Sequence, residues 1–316
     1  MERIDLKKNV SEKEYDLLII GGGPAGLTAA AYAIRKRIET LLISEDLGGK
    51  TNYKFTLPDV ESHLVIDGDE LVGKFKSQIE YLDFARYIDE VTKLERRENK
   101  FVATTRGGKV FKGKSAIIAI GVMPKRLNVP GEKDFLGRGV SYSAVSHAQL
   151  FIDMEVAVVG DGLPALHATA ELAQIAKKVN VVGVQAKYMD TELGKRLKNS
   201  GRVQFFTDYE VEEIRGNSSV ESLLVRSKAD NTEKAIPVKG VFIELGYVPD
   251  KELFSNLVKT TAEGRIMISE NNQTSIPGLF AAGDVTDVNA QQVVIAIGEG
   301  ANAALSAYNY LLSLKQ

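Results

Sequence analysis

The chain has 316 residues and no cysteine, which excludes a disulfide scaffold, a thiolate zinc site, an iron–sulfur cluster and a cysteine nucleophile. Forty basic and forty-two acidic residues leave a net charge of −2, so no global field recruits nucleic acid or an anionic membrane. Three histidines, His63, His147 and His167, are too few for a histidine-rich metal site, and no bound metal is expected. The length predicts two domains. The polar start MERIDLKKNVSEKEYD lacks an apolar targeting core, and no stretch reaches the roughly 20 apolar residues that span a bilayer. A cytoplasmic protein without a membrane or nucleic-acid partner is the expectation.

In chain order, residues 16–20 (DLLII) form a short apolar run that stops at Gly21-Gly22-Gly23-Pro24-Ala25-Gly26. A small-residue helical pattern and a second apolar run at 40–43 follow, so the whole predicts a β-α-β unit. The spacing Gly21-x-Gly23-x-x-Gly26 suits a dinucleotide pyrophosphate: the glycines let the backbone bend and approach it, and the helix N-terminus offers unpaired N–H groups. An acidic partner for a ribose hydroxyl belongs about 20 residues on. Glu45 and Asp46 stand there, and Glu45 is the favoured one.

The same grammar returns later. Residues 156–159 (VAVV) stop at Gly160-Asp161-Gly162-Leu163-Pro164-Ala165, a helix is predicted to about Lys177, and a strand follows at 179–184. Gly160, Gly162 and Ala165 keep the spacing. The second strand, however, ends in Gly183-Val184-Gln185-Ala186-Lys187, with neither a carboxylate for a 2′-hydroxyl nor an arginine pair for a 2′-phosphate. Only a weak nucleotide site is expected, and NAD(P)H is not expected to bind tightly. Residues 115–121 (SAIIAIG) and 240–246 (GVFIELG) read as buried strands ending in glycine. Alternating segments such as 100–105 and 202–211 suit small antiparallel meanders. Residues 275–286 (SIPGLFAAGDVT) begin another strand, and Asp284 after Gly283 is placed to accept hydrogen bonds from a ribityl chain. The small-residue helix after Asn289 can direct its dipole at a reduced flavin. The fold class is therefore α/β, with two Rossmann-like three-layer nucleotide-binding domains; if the strand in 275–286 joins the first sheet, the second domain is inserted within the first.

These motifs in this order, with Gly48-Gly49, Ala119-Ile120-Gly121, Pro130-Gly131-Glu132, Gly139-Val140-Ser141-Tyr142 and Gly246-x-x-Pro249, resemble the low-molecular-weight thioredoxin reductases among the FAD-dependent pyridine nucleotide–disulfide oxidoreductases. The resemblance implies an FAD domain at 1–118 and 247–316 and an inserted, degenerate NAD(P)-binding-like domain at 119–246. It places FAD pyrophosphate at Gly21, Gly23, Pro24, Ala25 and Gly26 and the adenosine ribose near Glu45 and Asp46. It lines the flavin with Gly48, Gly49, Lys50, Gly121, Gln292 and Val293, and the ribityl chain with Gly283 and Asp284. It also implies a homodimer.

Departures from the family are as informative. Where relatives carry Cys-Ala-Thr-Cys-Asp, this chain reads Ser143-Ala144-Val145-Ser146-His147. Serine cannot cycle between dithiol and disulfide, so thiol–disulfide exchange through this site is excluded, while His147 has an ordinary pKa suited to moving protons. The arginines that grip a 2′-phosphate in relatives are absent, with Met189 at the last of them. His167-Ala168 replaces paired glutamates, and Glu61-Ser62-His63-Leu64 corresponds loosely to a flavin-side segment; His63 and His167 read as structural.

Three functions follow from this. One is an FAD-dependent oxidoreductase exchanging electrons directly at flavin with a protein carrier, ferredoxin or flavodoxin, or with a weakly bound nucleotide. The second is an NAD(P)H-dependent ferredoxin or flavodoxin reductase, and the third a flavin-binding sensor or redox-complex component without turnover. A reductase whose cysteines have been replaced is a further reading, against which His147 and the stripped nucleotide site both stand.

Overall fold

The run EYDLLII makes β1 (Glu14–Ile20), a strand buried on both faces as expected for parallel sheets. A computed structural model describes residues 13–58, 60, 68–82, 85–254 and 256–314, so Glu61, Ser62, His63 and Leu64 lie outside the described residues. After β1 come α1 (Pro24–Arg35), β2 (Thr40–Ser44), α2 (Gly68–Tyr81), β3 (Arg86–Ile88), β4 (Val91–Arg97), β5 (Lys100–Thr105) and β6 (Val110–Ile118). The chain leaves this unit through β7 (Met123–Pro124). The second unit contains β8 (Val140–Ser141), α3 (Ala144–His147), β9 (Glu155–Val159), α4 (Leu163–Ile175), β10 (Lys178–Val182), α5 (Ala186–Met189) and α6 (Glu192–Lys198). It continues with β11 (Val203–Phe206), β12 (Tyr209–Gly216), β13 (Val220–Ser227), β14 (Glu233–Pro237) and β15 (Gly240–Ile243). The return runs through β16 (Tyr247–Val248) to β17 (Leu279–Ala281) and α7 (Val293–Ser313).

The two compact units are Met1–Asn52 with Asp67–Met123 and Val248–Gln316, and Tyr53–Ile66 with Pro124–Tyr247. In the first unit β3-β2-β1-β6 are parallel neighbours. The nine-residue β6 serves two partners in turn: Val110–Gly113 pairs antiparallel with β5, and Ala116–Ile118 pairs parallel with β17. The second unit is therefore inserted between β6 and a strand beside it in the same sheet. Alternation along β1 sends Leu17 and Ile19 to the layer of α1 and α7, and Leu18 and Ile20 to the opposite face.

The second unit has a parallel sheet in the order β11-β10-β9-β15-β8 and an antiparallel meander β12-β13-β14. One expectation from the sequence needs correction here. Residues 202–211 are not a meander segment: β11 joins the parallel sheet beside β10, and the meander begins only at Tyr209. Residues 100–105 do form the middle strand, β5, of an antiparallel run β4-β5-β6, which extends the main sheet through β6. Alternation alone does not distinguish an edge strand of a parallel sheet from a meander strand, because both have one half-covered face. Val156 and Val158 pack towards α4, and Ala157 and Val159 towards the meander.

Candidate functional site

The first glycine turn is shaped by what a side chain would meet. Gly21 has φ +107°, and a Cβ there would lie 2.4 Å from the Ala119 carbonyl oxygen. At Gly26 a Cβ would lie 1.8 Å from the Gly21 carbonyl oxygen. Both positions need glycine to close strand, turn and helix. Gly23 differs. It precedes Pro24 and caps α1 with an ordinary φ of −71°, no side chain satisfies the cap, and a Cβ there meets nothing within 4 Å. An open space in front of the uncapped amides of a twelve-residue helix is the cradle a pyrophosphate fits. Gly121, with φ +67°, is open in the same way.

Residues around the turn are tied together. The Gly48 amide donates to the Gly22 carbonyl at 2.8 Å, and Asp46 Oδ1 accepts from the Gly49 amide at 2.9 Å. Asp46 is thus used within its own loop. Glu45 stays exposed at the end of β2, close enough to Arg106 to help raise the guanidinium pKa after the larger effects of Glu90. Lys50 forms an ion pair with Asp284. The Arg265 guanidinium donates to the Asp284 carbonyl at 2.9 Å and meets the side-chain oxygen of Gln291. Gln292 caps α7 without a side-chain hydrogen bond, and Val293 opens the helix. Ala25 is buried under α7: a Cβ on Gly300 would sit 2.1 Å from its carbonyl oxygen, and one on Gly283, φ +80°, 3.0 Å from its Cβ.

Sequence reasoning missed Arg265 and Glu299. Glu299 Oε2 accepts from the Gly283 amide at 2.6 Å and from the Thr286 hydroxyl at 3.2 Å, while Thr286 Oγ1 also donates to the Gly283 carbonyl. The carboxylate braces the turn that presents Asp284. Burial raises its pKa, with Asp284 and Asp287 adding to the effect and the two hydrogen bonds opposing it. Glu299→Ala is expected to cost about 2 kcal/mol by leaving a buried amide unpaired. Glu299→Gln keeps an acceptor and costs far less. Its folded pKa is raised, so the wild-type carboxylate loses stability as pH rises; urea unfolding at pH 5 and pH 8 should show that decline in the wild type and a smaller one in Glu299→Gln.

In the second unit Ser143 caps α3. Its Oγ accepts from the Ser146 amide at 3.3 Å and donates to Ser146 Oγ at 2.9 Å. His147 Nδ1 lies 2.8 Å from the buried Ser141 Oγ, and its ring stacks on Phe55 at 4.5 Å and 27°. Burial lowers the His147 pKa to about 4, the Ser143 backbone partly offsetting it. The imidazole is therefore neutral near pH 7 and is a poor proton donor there. A second group, invisible in the sequence, is Glu244 just past β15. It accepts from the Ala144 amide at 3.0 Å. Burial raises its pKa to about 7; the amide opposes this and Glu171 adds to it.

These two groups make opposite demands on pH. Below pH 6.5 the unfolded chain protonates a histidine that the folded chain keeps neutral, so the His147 contribution is lost as pH falls from 6.5 towards 4. Above pH 4.5 the unfolded chain ionises a glutamate that the folded chain keeps protonated, so the Glu244 contribution is lost as pH rises from 4.5 towards 7. Each amounts to roughly 3 kcal/mol, and between them the slopes nearly cancel. Single variants should expose each slope: His147→Gln should lose stability as pH rises through this window and Glu244→Gln as it falls, read by urea unfolding.

The second glycine turn is also closely packed. A Cβ on Gly160 would lie 2.5 Å from the Glu244 carbonyl oxygen and 2.8 Å from the buried Ala165 Cβ. Gly162 caps α4 without a side-chain hydrogen bond. His167 is exposed on α4. Among the described residues, no group of histidine, aspartate and glutamate could hold a metal ion, and no helix is long and apolar enough to cross a membrane.

Two sheets with parallel strands, each with a glycine turn between a strand and the helix after it (β1 and α1, β9 and α4), define a protein built on two dinucleotide-binding folds. The pyridine nucleotide-disulphide oxidoreductase family pattern matches residues 15–300, and the chain belongs to that family. It is similar to the crystal structure of thioredoxin reductase from Streptococcus pyogenes MGAS5005, at 35% identity and a TM-score of 0.86 over 95% of this chain and 99% of that one. Thioredoxin reductase from Giardia duodenalis is similar as well, at 29% identity and a TM-score of 0.83 over 95% of this chain and 99% of that one. The chain is also 32% identical over 310 residues to the NADH dehydrogenase of Bacillus subtilis (strain 168). That alignment covers 98% of this chain and 61% of the relative, so the chain spans about three fifths of that protein's length.

Proposed function

We propose that the chain is an FAD-dependent oxidoreductase that exchanges electrons directly at its flavin, without a redox disulfide. The observation that carries this reading is Gly23: an unstrained glycine facing open space at an uncapped helix N-terminus, in a chain whose relay positions hold Ser143 and Ser146. Bound flavin would supply hydride and single-electron chemistry. The chain's own residues hold and orient it. The α1 amides take the pyrophosphate, Glu45 the adenosine ribose, and Asp284 the ribityl hydroxyls. Lys50 and Arg265 balance the Asp284 carboxylate and carbonyl, and Glu299 keeps the turn in place. Gly48, Gly49, Gly121, Gln292 and Val293 line the remaining wall.

With no sulfur between flavin and acceptor, the partner is a protein carrier of the ferredoxin or flavodoxin kind, or a weakly bound nucleotide, and the working unit is a homodimer. A second reading, an NAD(P)H-dependent reductase of such a carrier, is favoured by the retained Gly160–Gly162–Ala165 turn and by the NADH dehydrogenase relative. Anaerobic titration of flavin-loaded protein with reduced ferredoxin, NADH and NADPH separates the two. Bleaching of the flavin band by ferredoxin but not by either nucleotide supports the first reading. Stoichiometric bleaching by NADPH or NADH establishes the second, and a protein that binds no FAD overturns both.

A further inference from the structure

The loop that leads from β17 to α7 is tied by its backbone at the start only. There the Thr286 amide donates to the Gly283 carbonyl at 2.9 Å, the Ile266 amide to the Val285 carbonyl at 2.9 Å, and the Asp287 amide to the Ile266 carbonyl at 3.0 Å. Beyond Asp287, the backbone of 288–291 makes no hydrogen bond to another described backbone group. α7 then opens at Val293 behind Gln292, which gives it no side-chain cap. The backbone of the loop therefore leaves open where the first amides of α7 point.

Arg265 bridges that stretch. Its own backbone is anchored twice: its carbonyl accepts from the Thr261 amide at 2.9 Å, and the next residue, the fully buried Ile266, is laced to Val285 and Asp287. From this base the half-buried guanidinium donates to the Asp284 carbonyl at 2.9 Å and to the side-chain oxygen of Gln291. One planar fork thus joins the two ends of the loop, a span for which a guanidinium is better shaped than an ammonium. Both acceptors are neutral. The Asp284 carboxylate is paired with Lys50 instead, and among the described residues Arg265 forms no ion pair. The exposed Glu263 carboxyl, lowered in pKa first by the Thr261 hydroxyl, also feels the guanidinium charge. Arg265 therefore carries its charge into the loop, held there by dipoles.

We propose that Arg265 is the positioning residue that sets the reduction potential of the bound flavin, by fixing the start of α7 and adding a positive charge beside it. This rests on the proposed function, in which Asp284 takes the ribityl chain and Gln292 and Val293 the flavin edge. Flavin reduced by two electrons with uptake of one proton carries one negative charge on its pyrimidine ring. Helix amides and a cation nearby favour that charge over the neutral oxidised ring, so they tighten the reduced cofactor more than the oxidised one. A residue that only braced the loop would tighten both equally and leave the potential where it was. With no disulfide to draw electrons on, the potential of the flavin itself decides which carriers can reduce it.

The test is equilibrium reduction of the flavin-loaded chain by xanthine and xanthine oxidase against a reference dye. The Kd of oxidised FAD and the thermal melt of the flavin-free chain are measured alongside. Arg265→Gln is expected to weaken binding of reduced FAD at least tenfold more than that of oxidised FAD, a fall in potential of about 30 mV for a two-electron couple. Gln291→Leu leaves the guanidinium in place but removes its hold on the end of the loop, and is expected to lower the same ratio about threefold, again a fall in potential. If the melt shows that Arg265→Gln does not fold, Gln291→Leu decides alone. An unchanged or higher potential in either folded variant overturns the proposal, and equal weakening of both forms of FAD would identify Arg265 as a brace and no more. A wild-type chain that takes up no FAD overturns the proposed function and this proposal with it. A wild type that binds FAD beside variants of unchanged potential overturns this proposal alone.

Discussion

Gly23→Ala should fold as stably as the wild type and lose its flavin. The methyl group has no neighbour within 4 Å to displace, and the backbone at φ −71° is one that alanine adopts without strain. Its effect falls entirely on a ligand that must approach the α1 amides. An added group at that surface should weaken FAD binding at least a hundredfold, or about 3 kcal/mol, with an unchanged melting curve for the flavin-free protein. Gly26→Ala is the contrasting case. Its Cβ would sit 1.8 Å from the Gly21 carbonyl oxygen, so strand and helix must separate and the fold itself is expected to fail. Equilibrium FAD titration followed by fluorescence, with thermal melts of the flavin-free chains, checks both. If Gly23→Ala binds FAD as well as the wild type, the pyrophosphate does not lie there.

The second large effect is a gain. Ser143→Cys with Ser146→Cys should form a disulfide on air oxidation, although the wild type has no thiol at all. Ser143 Oγ and Ser146 Oγ already point at one another at 2.9 Å across the first turn of α3, and longer C–S bonds with a small side-chain rotation bring the sulfurs to the roughly 2.05 Å of a disulfide. A sulfur at the Ser143 cap also occupies the position that lowers thiol pKa in Cys-x-x-Cys motifs. Thiol titration under denaturing conditions should find no free thiol in the oxidised variant and two after reduction. Two free thiols persisting after exposure to oxidant would show that the relay geometry has been lost along with its sulfurs. Full recovery of the disulfide would show that only the atoms changed.

The sequence made much of this protein legible because its strongest signals are local. The glycine spacing at 21–26 and 160–165, the apolar runs before each turn and the small-residue helices after them need only a few residues of context. The resemblance to the reductase family marked the serines at 143 and 146 as standing in the relay positions, and composition already excluded any thiol. Local pattern failed where two segments distant in sequence had to meet. Residues 202–211 alternate like a meander strand, but the exposed side of β10 claims 203–206 for the parallel sheet. Arg265 and Glu299 look like ordinary surface charges until the fold brings both to the turn around Asp284. Glu244 looks like one acid in a strand end until burial beside Ala144 shifts its titration.

What the sequence determined by itself, then, is that two dinucleotide-type folds are present, that the first has the residue types to hold FAD, and that no thiol chemistry is available. These follow from residue identity and short-range spacing, which no tertiary contact can change. Only the tertiary structure decided what stands in front of each turn. Both carry glycine at the third position, but an absent side chain says nothing about what fills the space it leaves. At Gly23 nothing enters that space. At Gly162 a Cβ would come into ordinary contact with Tyr188, a residue that only the path of the chain after β10 could bring there.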